Sequence, residues 1–217
     1  MNTTTALRAT AVTLTVAYFG ALFTAPLPEG AYDDARVVGL LSGGDLASIV
    51  VGGCFLVAAG IAALVFTSLL TSTLRRTGHG DTGTAVVRSL GSAYALMLMV
   101  AAVLFLSVPM GHVVEELPEA TPSPFRELTM AGFTALLIPA LFCAGLMVLV
   151  VSVMLRRSGL APRWCTMTGF VIAPVLFFGI GWAPQFLMPV WTLVVAFGIR
   201  RVAPTDASPE ARQLAVR

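Results

Sequence analysis

Arg156, Arg157 and Arg163 lie close together in LRRSGLAPRW, Leu155 to Trp164, a polar break between two long apolar runs. A guanidinium presents a planar fork of donors that matches phosphate or carboxylate. The indole of Trp164 suits the boundary between headgroups and hydrocarbon. Two roles fit: anchoring a helix end at a membrane surface, which accounts for all four side chains, or holding an anionic lipid headgroup. Trp191 is a different candidate. It stands near the middle of its apolar run, so its indole N–H requires a buried acceptor and marks a polar point inside a helix bundle.

Other constellations carry less. Met110-Gly-His112 with Glu115 and Glu116 offers a thioether, an imidazole and carboxylates, a set that copper or zinc can use, but so short a motif arises readily by chance. His79, Asp81 and Arg88 could serve acid–base chemistry on a lipid only if they converge. Cys54, Cys143 and Cys165 are widely spaced in or beside apolar segments, which suits small packing residues better than a disulfide framework or zinc site. GxSxG and HExxH are absent, and no Asp, Glu, Arg or His stands near the middle of an apolar run. No catalytic residue, cofactor or metal is expected from these patterns.

The helices that carry these residues follow from composition. The 217-residue chain is 57% hydrophobic and 11% charged, with a mean hydropathy of +0.90, whereas about a quarter of residues are charged in ordinary soluble domains. Lipid is the solvent this composition requires. All 13 cations are arginine, the formal charge is only +2, and no basic run exceeds two residues, so nucleic acid is excluded as a partner.

Crossing a hydrocarbon layer of about 30 Å takes about 20 helical residues. Runs 9–27, 46–74, 89–111 and 128–155 meet or approach that length, and the run 164–199 divides at Gly181, Pro184 and Gln185 into 164–182 and 184–199. The expected fold is an all-α bundle of six transmembrane spans. The sixth is short for a crossing, while the second and fourth are long enough to tilt or protrude. Pro139 and Pro174 are expected to kink their helices.

Charge gives an independent check, because cytoplasmic loops are enriched in arginine and lysine. With both termini inside, eleven of the 13 arginines are cytoplasmic, leaving only Arg36 and Arg126 outside, and eight of the 11 acids fall in the outer loops. A five-span arrangement would strand Arg200 and Arg201 on the wrong side. The first span is longer than a signal-peptide core and lacks a good cleavage site, so it is expected to remain. Val37 to Leu41 suggests a short helix on the outer surface, 112–127 reads as a turn-rich loop, and 202–217 as a disordered cytoplasmic tail.

Each apolar hairpin ends on paired arginines, at 75 and 76, 156 and 157, and 200 and 201, a pattern that the inside preference of arginine explains without internal duplication. Gly52, Gly53 and Gly60 give the second span a surface of small residues for close helix approach, within the bundle or between copies.

LRRSGLAPRWCTMTGFVIAP together with LMPVWTLVVAFGIRR resembles six-span bacterial membrane proteins of actinobacterial type that carry a domain of unknown function. The likeness covers the chain from Leu155 onward and does not extend to the first 120 residues. It implies a topology and a bacterial plasma membrane, and supplies no reaction. The expected function is an accessory or structural subunit of a membrane complex, with a small transporter or lipid-binding permease as the alternative. The expected partners are the lipid bilayer and a membrane protein or a second copy of this chain.

Overall fold

The computed structural model describes residues 3–24, 33–43, 45–76, 81–115, 122–178 and 183–199. Among these, all regular structure is helical. The helices are α1 (Thr3–Thr24), α2 (Asp34–Ser42), α3 (Asp45–Arg75), α4 (Asp81–Glu115), α5 (Pro122–Ala135), α6 (Leu141–Ser158), α7 (Arg163–Phe178) and α8 (Leu187–Gly198). A π-helical turn, Leu136–Ala140, joins α5 to α6, and a 3-10 turn, Pro184–Phe186, leads into α8.

Four helical stretches are long and apolar enough to cross a membrane: α1, α3, most of α4, and the continuous run Pro122–Ser158 through the π turn. They are apolar on every face, as a helix must be when packed on one side and surrounded by lipid on the other. Val16, Ile61, Val103, Ile138 and Val171 are exposed on the outside of the bundle, while Leu14, Phe66, Leu98, Met147 and Leu176 are buried within it. Many hydroxyls in these helices serve their own backbone. Thr10, Thr71 and Ser152 donate to the carbonyls of Ala6, Thr67 and Val148 one turn back, the usual arrangement of Ser and Thr inside a helix.

Helices adjacent in sequence pack against each other, and α8 returns to α1, closing a ring of six: α1, α3, α4, the α5–α6 run, α7 and α8. Glycines set the closest of these contacts. A Cβ on Gly53 would collide with Leu106, and one on Gly60 would lie 2.7 Å from Met99 Cγ and 3.0 Å from the Ala95 carbonyl. The small-residue surface of α3 is therefore used against α4 of the same chain.

Pro139 does not simply kink its helix. The backbone takes a π turn around it, which accommodates the missing N–H and the clash of the ring with the preceding turn. Pro174 lies within a continuous α7. The loop expected over 112–127 is shorter, because α4 continues to Glu115 and α5 already begins at Pro122. Proline suits a first helical position, where its N–H would have no partner in any case.

The short outer helix expected near Val37 is α2. The Asp33 carboxylate caps it by accepting from the Arg36 backbone N–H at 2.8 Å, a favoured role for aspartate. Val37, Leu40 and Leu41 bury against Ile49 and Phe125, with Val108 packed alongside, and Asp34 forms an ion pair with Arg126 of α5.

The last hairpin departs from expectation in depth. α7 has 16 residues and α8 has 12, or about 24 Å and about 18 Å of helix. Three contacts fix the antiparallel register of α8 on α1: Arg8 to Ala196, Thr15 to Pro189 and Tyr18 to Gln185. Gln185 thus lies level with Tyr18, six residues before the end of α1, and the turn into α8 falls about 9 Å short of that end. Residues 179–182, with Trp182, and the tail 202–217 lie outside the described residues.

Candidate functional site

The helix ends gather arginine at one end of the bundle. Arg76 Nη1 donates to Thr3 Oγ1 at 3.4 Å, so the end of α3 meets the start of α1. Gly83, near the start of α4, faces Met154 near the end of α6. Cys165 Sγ donates to the Val194 carbonyl at 3.6 Å, which sets the start of α7 against the end of α8. Arg8 stacks over Phe197 at 5.2 Å and donates from Nε to the Ala196 carbonyl. Arg8, Arg75, Arg76, Arg88, Arg156, Arg157 and Arg163 therefore share one end, while Asp33, Asp34, Asp45 and Glu127 share the other with Arg36 and Arg126.

The cluster at Arg156, Arg157, Arg163 and Trp164 is built by a helix stop and restart. Gly159 caps α6 with φ of 64°, a left-handed conformation that glycine adopts without the Cβ penalty. α7 begins four residues later. All three arginines are exposed, and Trp164 is 59% exposed. Only Arg156 reaches across to α7, with Nη1 3.9 Å from Met167 Sδ and its guanidinium 5.9 Å from the Phe170 ring centre. The aliphatic stem and flat cation lie along an apolar helix face, as an interfacial arginine does. The described contacts do not join the four side chains into a closed pocket.

Trp191 is 0% exposed, and its Nε1 finds no hydrogen-bond partner among the described residues, contrary to the acceptor expected for it. Its surroundings are nevertheless specific. A Cβ on Gly169 would collide with Ser152 Oγ and lie 3.1 Å from Trp191 Nε1, so α6, α7 and α8 converge on that glycine. Between α1 and the turn into α8, Tyr18 donates to Gln185 Oε1, and Gln185 Nε2 has no partner among the described residues.

A site missed in the sequence lies between α3 and α4 at the basic end. Ser68, Thr71, Ser72 and Arg75 of α3 and Thr84, Ala85 and Arg88 of α4 line a cavity of about 400 Å³. A shallower groove of about 510 Å³ shares Ser68 and Ser72 with it and continues along Leu64, Val65 and Leu69. Nothing in the sequence ties these hydroxyls to one another, and Arg88 stands there only with His79 and Asp81 as an acid–base candidate. Only the pairing of the two helices puts them around one space.

The acid–base trio is not assembled among the described residues: His79 lies outside them, and Arg88 is two turns along α4 from Asp81. Nor do the described residues hold a group of three or more His, Cys, Asp or Glu able to bind a metal, and the Glu116 expected beside His112 lies outside them. Compared with protein-family models, curated proteins and solved structures, the chain matches none.

Proposed function

We propose that the chain is a six-span protein of the bacterial plasma membrane, with both termini in the cytoplasm, serving as an accessory or structural subunit of a membrane complex. The gathering of seven of the nine described arginines at one bundle end supports the orientation. A six-span reading requires the bilayer to thin around the short α7 and α8, or flanking residues to extend them.

The observation that carries the accessory reading is the filled interior. Tyr18, Phe66, Leu98, Met147 and Trp191 are almost wholly buried in a single contiguous core, while the aliphatic residues exposed along every long helix offer surface to lipid or to a partner's helices. A transporter or permease is the second reading. It draws on the unpaired polar atoms of Gln185 and Trp191 inside the bundle, which a polar substrate would satisfy.

Purification from native membranes in mild detergent, with mass spectrometry of everything that co-purifies, separates the two. A stoichiometric membrane protein is the expected result. A solitary chain carrying one enriched polar metabolite would replace the accessory reading with transport.

A further inference from the structure

We infer that the groove between α3 and α4 at the basic end seats one anionic phospholipid, its phosphodiester against Arg88, Ser68 and Ser72 and one acyl chain along Leu64, Val65 and Leu69. The inference holds for an accessory subunit or a transporter alike, and requires only that α3 and α4 lie in a bilayer.

The first support is depth. Gly91 faces Thr67, Gly60 faces Met99 and Gly53 faces Leu106, so the antiparallel register sets Arg88 level with Leu70. That is five residues, or about 7.5 Å, farther into the bundle than Arg75 at the end of α3. A cation displaced toward the hydrocarbon is favoured by an anionic partner. Among the described residues none pairs with Arg88.

The second support is the stripe on α3. Ile61, Val65, Ser68, Ser72 and Arg75 recur at alternating spacings of four and three, which places them on one helix face, and all are exposed or half-buried. Read toward the helix end, the stripe passes from aliphatic to hydroxyl to cation. The same order runs from acyl chain through ester and phosphate to headgroup in a lipid leaflet. Thr71 and Ser72 spend their protons on the carbonyls of Thr67, Ser68 and Leu69, which leaves the Arg88 guanidinium and the Ser68 hydroxyl as donors to the phosphate.

The third support is continuity between the two cavities, which share Ser68 and Ser72. A free phosphate would use only the polar end. An apolar helix from a partner would cover the aliphatic end and leave the arginine uncompensated, whereas a phospholipid satisfies both ends.

The full chain, stripped of lipid in nonionic detergent, would be titrated with phosphatidylglycerol, with phosphatidylcholine and with inorganic phosphate alone, and bound lipid counted by native mass spectrometry. Phosphatidylglycerol should be retained over phosphatidylcholine, and excess phosphate should not displace it. Arg88→Gln should weaken its retention by about tenfold. Ser68→Phe should abolish retention by filling the groove with Arg88 intact, and it decides the matter if Arg88→Gln fails to fold. The double variant Arg156→Gln, Arg157→Gln should retain the lipid as the parent does. Parent-like retention in Ser68→Phe, equal retention of the two lipids, or complete displacement by phosphate would overturn the inference.

Discussion

The Tyr18 hydroxyl donates a 3.0 Å hydrogen bond to Gln185 Oε1, joining the first helix to the turn that begins the last one across 167 residues of chain. Both side chains are buried, at 2% and 1% exposure. The bond closes the ring of helices at the level of the 3-10 turn into α8.

Breaking it should cost more than the bond itself, because a buried acceptor left without a donor carries its full desolvation penalty. Tyr18→Phe should lower stability by about 1–3 kcal/mol, read as a drop in the thermal midpoint in detergent. Gln185→Leu on top of Tyr18→Phe should cost less than the two single changes added together, since it removes the stranded acceptor. Strict additivity would mean that the two groups do not act on each other.

Gly60 tests whether the small-residue surface of α3 works inside the chain or between copies. A methyl group there meets Met99 Cγ, which can move, and the Ala95 carbonyl, which belongs to a helix backbone and cannot. Gly60→Ala should therefore destabilise by about 1–3 kcal/mol with no change of oligomeric state by light scattering. Gly39→Ala on α2, where a Cβ meets nothing within 4 Å, should leave the unfolding midpoint unlowered. Dissociation of an oligomer by Gly60→Ala, with the monomer's stability intact, would move that surface to an interface between copies.

How much could be read from the chain alone depended on which residues interact with their neighbours in sequence and which do not. The apolar runs announce helices because lipid leaves the backbone no other partner, and the Asp33 cap and the Val37-to-Leu41 helix are equally local. The Tyr18–Gln185 bond, the meeting of Ser152, Gly169 and Trp191, and the cavity around Arg88 depend on antiparallel register between helices. Register in an all-apolar bundle is set by which glycine faces which large side chain, and Gly53, Gly60 and Gly91 carry no sign of their partners in the sequence. The π turn at Pro139 was half legible: the proline was seen, but not the way the backbone would absorb it.

Gly159 closes α6 at φ of 64°, with open space where a Cβ would stand. Any cost of replacing it is therefore conformational and not steric. Gly159→Ala should destabilise by about 1–2 kcal/mol, and Gly159→Asn by less, since asparagine tolerates the left-handed region better. Both should shift the unfolding midpoint without altering lipid retention at Arg88, because the α6–α7 turn is a separate feature of the basic end.

Orientation can be checked at two residues whose surroundings the structure fixes. Arg36 lies on exposed α2 at the acidic end, and Arg76 lies just past α3 at the basic end, beside Thr3. In a background with Cys54, Cys143 and Cys165 replaced by alanine, Arg36→Cys should react in intact cells with a maleimide that cannot cross the membrane. Arg76→Cys should react only after the cells are opened. The positive-inside preference acts on arginine near span ends during insertion, and six of the described arginines besides Arg76 share its end of the bundle. The opposite labelling pattern would reverse the proposed topology and place the groove around Arg88 on the outer leaflet, while leaving the ring of helices and its register unchanged.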